Sequence, residues 1–274
     1  MNVPVGTAGA VAAAADDREL VFIKLGGSLI TDKTRPYTAR QDVIDRICEE
    51  IRQARDRRKL SLLLGHGGGS FPHVSAARHR VDRGAVDAGS WRGFIEAHED
   101  AVRLNAIVCG SFARQRVPAA TVQPSAVCVA RAARIESWPT RPLELLLQAQ
   151  LIPVVYGDIC LDEERGFSVI STEEIFRFLA PVLRPDRIIL LGKVDGVLDG
   201  QGTLIPCITR RNLPALREAL RASDGVFDVT GGMLHKVERS LETGVPTAIL
   251  NGLQPGRLLQ ALLDEDVPGT IVKG

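Results

Sequence analysis

The sequence predicts an α/β protein built on a doubly wound, mostly parallel sheet with helices on both faces. Two observations support this fold class. Short, uninterrupted apolar runs recur along the chain, as is typical of strands that are buried on both faces. Amphipathic stretches with helical spacing separate these runs, and such alternation favours parallel pairing through helical crossovers.

The predicted elements follow in chain order. The strands cover residues 20–25, 60–64, 119–122, 152–156, 187–191 and 247–250. In the first helix, Ile44, Ile47 and Ile51 fall on one face and the charged residues fall elsewhere. Further helical patterns cover residues 91–114, 143–150, 173–183, 213–221, 233–243 and 256–263. Because no long Pro/Ser-rich linker divides the chain, two lobes sharing one sheet are favoured over separable domains.

Composition argues against several classes of function. Hydrophobic residues make up 45% of the chain and charged residues 24%, which is ordinary for a soluble globular protein. The net charge of +1, with acids and bases interspersed, argues against a nucleic-acid partner. No apolar run approaches the roughly 20 residues of a membrane span, so no membrane association is expected. Residues 1–18 lack a basic n-region and are expected to form a flexible leader.

The cysteines also bound the function. The five cysteines lie far apart, without a C-x-x-C pair or a histidine at ligand spacing. They are Cys48, Cys109, Cys128, Cys160 and Cys207. We therefore expect no metal-ligating residues and no disulfide framework, and a reducing, cytoplasmic location fits best.

The first motif with chemical meaning is Lys24-Leu25-Gly26-Gly27-Ser28. Lys24 lies inside an apolar strand, where a cation is costly unless it meets a partner. The two glycines let the backbone approach a ligand and donate N–H groups, which suits a phosphate. An edge lysine before an ordinary turn is the alternative interpretation.

The second motif, residues 65–73, follows the second predicted strand and contains three consecutive glycines. Their entropic cost indicates a demand on the backbone, for which an oxyanion cradle is the natural candidate. The loop lacks the G-K-[ST] ending of a Walker A motif, and Ser70 replaces the last glycine of G-x-G-x-x-G. His73 could donate to a phosphate oxygen, although a structural role stays open for His66 and His73.

The third motif, residues 229–236, opens a predicted helix. Thr230 is a plausible N-cap, the glycines expose N–H groups at the helix N-terminus, and Lys236 follows within about one turn. A capped helix with a surface lysine is the alternative. Two further segments, residues 156–158 and 192–197, place glycine and a carboxylate at strand ends, where tight turns also explain them.

Together the motifs favour phosphoryl transfer. Two distant lysines and two glycine cradles can hold a transferring phosphoryl group from both sides, and this chemistry needs positioning and charge neutralisation more than a nucleophilic side chain. No Ser-His-Asp constellation or metal-ligand cluster in the sequence supports a hydrolase.

The order of these motifs resembles the amino acid kinase superfamily from about residue 21 to residue 272. The G-G-G-S-F-x-H, Y-G-D and D-V-T-G-G-M-x-x-K segments resemble its isopentenyl phosphate kinase branch. The resemblance implies a three-layer αβα sandwich, commonly a homodimer, and MgATP-dependent phosphorylation of isopentenyl phosphate to the diphosphate in an alternative mevalonate route. It also implies one domain over residues 19–274, with an acceptor-binding lobe at about 19–165 and a nucleotide-binding lobe at about 166–274.

The resemblance also implies roles for single residues. Lys24 and Lys236 would neutralise the transferring group, with Lys33 assisting, and Glu173 would orient the lysines. The other implied contacts are Gly26, Gly27, Gly69, Lys193 and Gly232 along ATP, and Gly68, His73 and Gly157 around the acceptor phosphate.

Three departures from the family pattern bear on activity and nucleotide preference. Pro72 replaces a glycine and removes an N–H donor. Glu173 replaces an aspartate, and Gly192-Lys193 replaces the usual Thr-Asp before V-D-G, so that a lysine stands at the position of an aspartate. We therefore hypothesise a compensating Glu173–Lys193 ion pair, with side chains within about 4 Å.

Two alternatives remain open from the sequence. One is a kinase for another small phosphate or phosphonate such as fosfomycin, and the other is a non-catalytic ligand-binding protein on the kinase fold. An isoprenoid tail needs an apolar cavity beyond His73, whereas a compact phosphonate needs a small polar one. Residues 79–94 are expected to line that cavity.

Overall fold

The structure is a computed structural model that describes residues 17–222 and 232–274. The expected leader therefore lies outside the described residues apart from Asp17 and Arg18, and so does the N-cap predicted at Thr230. The strands of the described residues are β1 (Glu19–Leu25), β2 (Leu60–His66), β3 (Ala119–Thr121), β4 (Val129–Arg131), β5 (Arg134–Ser137), β6 (Ile152–Tyr156), β7 (Asp158–Asp162), β8 (Gly166–Ile170), β9 (Arg187–Gly192), β10 (Cys207–Thr209), β11 (Thr247–Asn251) and β12 (Thr270–Lys273). The helices are α1 (Gly27–Ile30), α2 (Gln41–Arg57), α3 (Pro72–His79), α4 (Ser90–Arg114), α5 (Pro124–Val127), α6 (Arg141–Gln148), α7 (Thr172–Leu183), α8 (Leu213–Ala222), α9 (Gly232–Thr243) and α10 (Arg257–Leu262).

The main sheet has eight strands in the order β10-β12-β11-β9-β1-β2-β6-β3. Every neighbouring pair is parallel except β11 with β12. All six predicted strands belong to this sheet, as strands inside such a sheet must be apolar on both faces. The predicted parallel sheet is confirmed.

Helices cover both faces of the main sheet. Because side chains alternate along a strand, Val21 and Ile23 of β1 pack into one core with α2, α4 and α10. Phe22 points to the opposite face and packs into a second core with α7, α8 and α9. The protein is therefore a three-layer αβα sandwich, and the predicted fold class is confirmed.

A second sheet, in the order β5-β4-β7-β8, was not predicted. Its strands are short and keep exposed side chains such as Leu161 and Val169, so they lack the continuous apolar runs that identified the main sheet. The β4–β5 turn also lacks the glycine that usually marks such a turn. Ala132 and Ala133 adopt the positive φ values there, 49° and 61°. The Asp162 carboxylate accepts hydrogen bonds from both of their N–H groups, at 3.2 and 2.8 Å, which holds this unusual turn.

Candidate active site

Lys24 lies at the carboxyl end of the central strand β1. It shares a face with Phe22, whose ring lies 5.1 Å from that of Phe176 on α7. The same packing places the start of α7 over the strand, where Glu173 forms a buried ion pair with the Lys24 ammonium. Burial would raise the pKa of Glu173, but the charge and hydrogen bond of Lys24, with the charge of Lys236, hold this pKa below its usual value. The glutamate is thus ionised between two lysines.

The loops that follow β1 and β2 meet backbone to backbone. A Cβ atom on Gly27 would stand 2.3 Å from the backbone nitrogen of Gly69, and one on Gly67 would stand 2.9 Å from that of Gly27. Gly69 also adopts a φ of 54°, which side chains disfavour. The Thr31 hydroxyl joins the two loops, because it donates to the Gly27 carbonyl at 2.7 Å and accepts from the Ser70 N–H at 2.9 Å.

Helix α3 begins directly after the second glycine loop, with Pro72 at its first position. The missing N–H of a proline costs least there, since the first helical N–H groups have no carbonyl partner within the helix. Pro72 therefore removes an N–H donor, as expected, at a position where the helix itself does not use one. His73 occupies the second position and lines the adjoining cavity.

The strand ends, the glycine loops and the starts of α3 and α7 border one cavity of about 270 Å³. Its polar end contains most of the predicted site residues and draws on both predicted lobes. These residues are Lys24, Gly26, Gly27, Lys33, Gly68, Gly69, His73, Gly157, Glu173 and Lys236. Backbone N–H groups and lysines converging on one cavity form a site suited to phosphate groups.

The other part of the lining is apolar, and Val81, Ala97 and Ile159 within it belong to one hydrophobic cluster. We call this part the apolar end, and sequence reasoning missed most of it. It is lined by Ala76, Ala77, Val81, Ala97, Ala101, Ile159, Val169 and Ile170. The expected lining stretch, residues 79–94, contributes only Val81 and Asp82. A signal was present in α4, where Gly93, Ala97 and Ala101 recur at four-residue spacing and give one helix face small side chains.

Comparison with known proteins identifies the family. The sequence profile described as the amino acid kinase family matches residues 19–245, which is most of the chain. The chain belongs to the amino acid kinase family. The resemblance inferred from the motifs is thus confirmed over the region that holds the cavity.

Within the amino acid kinase family, the chain is similar to isopentenyl phosphate kinases. It is 35% identical over 267 residues to that of Methanothermobacter thermautotrophicus, covering 93% of this chain and 99% of the relative. It is 33% identical over 258 residues to that of Methanocaldococcus jannaschii, covering 92% and 97%. A solved structure titled "X-ray structures of isopentenyl phosphate kinase" superposes with a TM-score of 0.78 at 32% identity, covering 92% of this chain and 99% of the other.

Two residues predicted for the nucleotide side of an amino acid kinase do not line the cavity. Lys193 is exposed just beyond β9, and Gly232 begins α9 with a φ of 66°. The hypothesised Glu173–Lys193 ion pair is wrong: among the described residues Glu173 pairs with Lys24, and Lys193 forms no ion pair with it. The reason is topological, since Lys24 and Glu173 face each other on one side of the sheet.

His66 has a structural role, which is one of the two interpretations that the sequence leaves open for it. It is 1% exposed, its ring stacks on Tyr156 at 5.5 Å, and its nitrogens lie 3.2 Å from the Gly67 carbonyl and the Asn105 side-chain oxygen. Burial lowers the pKa of His66 despite these hydrogen bonds. A neutral imidazole sealed in the core cannot serve a ligand in the cavity.

A histidine–carboxylate pair that the sequence did not reveal lies at the cavity wall. Asp158 lines the cavity, and its Oδ1 lies 2.9 Å from Nδ1 of His98 on α4. This hydrogen bond raises the pKa of His98, although burial opposes the shift. The second carboxylate oxygen accepts from the Ser125 N–H at 3.2 Å. The Asp158 side chain is thereby fixed beside Gly157.

In residues 17–222 and 232–274, no group of three or more histidine, cysteine, aspartate or glutamate side chains could hold a metal ion. None of the described helices is long and apolar enough to cross a membrane.

Proposed function

We propose that this protein transfers the γ-phosphoryl group of ATP to isopentenyl phosphate and forms isopentenyl diphosphate and ADP. The observation that carries the proposal is the division of one cavity into a lysine- and glycine-lined end and an alanine-lined apolar end. A substrate with a phosphate on a short branched hydrocarbon tail matches both ends. The similarity to isopentenyl phosphate kinases over nearly the whole chain supports the same acceptor.

In the proposed reaction an oxygen of the acceptor phosphate attacks the γ-phosphorus, and the bond to the ADP oxygen breaks. Lys24 and Lys236 neutralise the charge of the transferring group, and Glu173 attracts both ammonium groups and so keeps them in place. His73, Gly68 and Gly157 hold the acceptor phosphate. Gly26, Gly27, Gly69 and Gly232 lie along the ATP phosphates, and Lys193 contacts the nucleotide.

The residues present fit a nucleoside triphosphate, because glycines have no side chains that would cover the backbone N–H groups of the two close-packed loops. Mg²⁺ is proposed to arrive with ATP and to neutralise phosphate charge. Phosphate-bound Mg²⁺ commonly needs only one or two protein carboxylates. A homodimer remains a proposal that rests on the resemblance, and a cytoplasmic location remains a proposal that rests on the cysteine pattern.

A kinase for fosfomycin is the second candidate, since a compact phosphonate could use the same lysines and histidine. The apolar end of the cavity argues against it, because eight apolar side chains there would face a polar ligand. The third interpretation, a non-catalytic protein, is disfavoured by the Lys24–Glu173–Lys236 arrangement.

The deciding experiment measures ADP release from purified protein with MgATP and isopentenyl phosphate, with fosfomycin, and without acceptor. Isopentenyl phosphate should give turnover well above the other two, and the diphosphate should be identified as the product by mass spectrometry. Turnover with fosfomycin alone would transfer the proposal to the second candidate. No turnover with either acceptor, in folded protein, would overturn the proposed function.

A further inference from the structure

Glu174 is a buried carboxylate that the proposed reaction does not use. It is 4% exposed and lies beside Glu173 in the first turn of α7. Ser171 caps this helix by accepting from the Glu174 N–H at 3.2 Å. In a capping box the glutamate side chain would return to the backbone of the capping residue. Here it instead accepts from the Ile135 N–H of β5 at 3.1 Å, so the carboxylate is directed toward neighbouring elements.

Three arginines from three elements surround this carboxylate. Arg177 of α7 donates to both oxygens, at 2.6 and 2.8 Å. Arg239 of α9 lies 3.6 Å from Oε2, and Arg134 of β5 lies 3.7 Å from Oε1. Glu242 of α9 shares the last two arginines, at 2.8 and 3.4 Å. Because Glu174 is buried and the Arg239 side chain is only 17% exposed, their attraction is weakly screened and persists at 3.6 Å.

The pairing with Arg239 matters because of what else α9 carries. Lys236 and Arg239 are three residues apart, so they lie on the same side of that helix. The charge of Lys236, together with the charge of Lys24, lowers the pKa of Glu173. Arg239 lies against Glu174, the next residue of α7. Two adjacent carboxylates of α7 therefore face two cations of α9, one at the cavity and one behind it.

We propose that Glu174 is a positioning residue for phosphoryl transfer: by holding Arg239 it fixes the placement of α9 and so aims Lys236 into the cavity. The inference rests on the proposed function, in which Lys236 neutralises the transferring group. It makes the neighbouring glutamates distinct in role, since Glu173 touches the lysines and Glu174 acts through the helix. A displacement of about 1 Å in a reacting group can cost up to 10²-fold in rate.

The test compares two partners of the same carboxylate. Arg239→Gln should lower kcat on the order of 10-fold while the acceptor KM stays within about twofold, and Arg239→Lys should recover part of the loss. Arg177→Gln is the matched control, because this arginine contacts Glu174 from the same helix and, among the described residues, forms no ion pair with α9 within 4 Å. It should leave kcat near that of the wild type, even where it lowers the melting temperature.

A double-mutant cycle separates positioning from general stability. In a Lys236→Ala background, adding Arg239→Gln should change the residual rate by less than about twofold, because the side chain being aimed is gone. An equal loss in both backgrounds, or equal kcat for Arg239→Gln and Arg177→Gln, would overturn the inference. Failure of the proposed function is distinguishable, because the wild type would then show no turnover with isopentenyl phosphate.

Discussion

The two ends of the cavity are built in different ways. The polar end is made of backbone and charge, where loops after β1 and β2 touch so closely that a Cβ atom on Gly27 would meet Gly69 at 2.3 Å. The apolar end is made of small side chains on α3 and α4, such as Ala97 and Ala101. Side chains can be exchanged while a fold is retained, but contacts between backbones cannot. The polar end should therefore fix the reaction, and the apolar end should set which acceptor enters.

The largest expected effect is at the polar end. Lys236→Ala should lower kcat by on the order of 10²-fold or more, because the charge that it places at the cavity is lost at the step where phosphoryl charge is redistributed. Steady-state kinetics with isopentenyl phosphate measures the change. Lys273→Ala, at an exposed position of β12, is the control for removal of a lysine. Near-normal turnover of the first variant would remove Lys236 from the mechanism.

The next effect tests whether backbone contact governs the polar end. Gly27→Ala should lower the free energy of unfolding by about 2 kcal/mol, with a loss of activity, because a Cβ atom there collides with backbone that cannot rotate away. Chemical denaturation measures the loss. Gly192→Ala provides the matched control at another strand end, since its Cβ atom would meet nothing within 4 Å. Equal stability of the two variants would contradict the asserted difference between the ends.

A smaller effect is expected at the apolar end. Ala101→Leu should raise the KM for isopentenyl phosphate about 10-fold, since the added carbons occupy the space of the tail and contacts of this size are worth about 1–3 kcal/mol. The KM for ATP should stay unchanged. Ala113→Leu lies on the exposed side of the same helix and should alter neither constant. A parallel rise for both substrates would mean that the two ends are not separate.

The smallest effect concerns His98, the hydrogen-bond partner of the cavity-lining Asp158. Its pKa is raised above the ordinary value of 6.5 by the hydrogen bond with Asp158, so the protonated form is favoured in the folded protein. The stabilisation should be fully present below pH 6.5 and lost as the pH rises through the raised value. We expect the stability difference between wild type and His98→Asn to be larger in acid than at about pH 8. A difference independent of pH would show that His98 does not titrate against Asp158.

The sequence predicts the main sheet well, because strands that are buried on both faces are recognisable as uninterrupted apolar runs. It also identifies the polar end, since a lysine within such a run needs a partner and consecutive glycines are costly unless the backbone requires them. The partner of Lys24 was predicted only through the family resemblance, and the compensating pair with Lys193 was wrong. Which carboxylate meets Lys24 depends on the packing of α7 against β1, which spacing along the chain does not specify.

The apolar end was mostly beyond sequence reasoning for a different reason. The spacing of small residues in α4, which includes Ala97 and Ala101, indicates one helix face, but it does not show that this face lines a cavity until the facing wall from β7 and β8 is known. The second sheet itself escaped prediction because its strands are short and partly exposed. Its β4–β5 turn has no glycine and is held by the Asp162 carboxylate, about 30 residues further along the chain. No local sequence pattern predicts such a turn.

The central place of β1 has a consequence for how the chain acquires its structure. This strand pairs with β2 on one side and with β9, beginning at Arg187, on the other. During synthesis the second neighbour emerges long after the first, and Lys24 gains Glu173 only when α7 has been made. Contacts between such distant segments slow folding, because long loops must close before the contacts form. Until β9 has been made, the first half of the nascent chain therefore exposes the apolar edge of β1. Partly folded chains with such an edge are prone to associate.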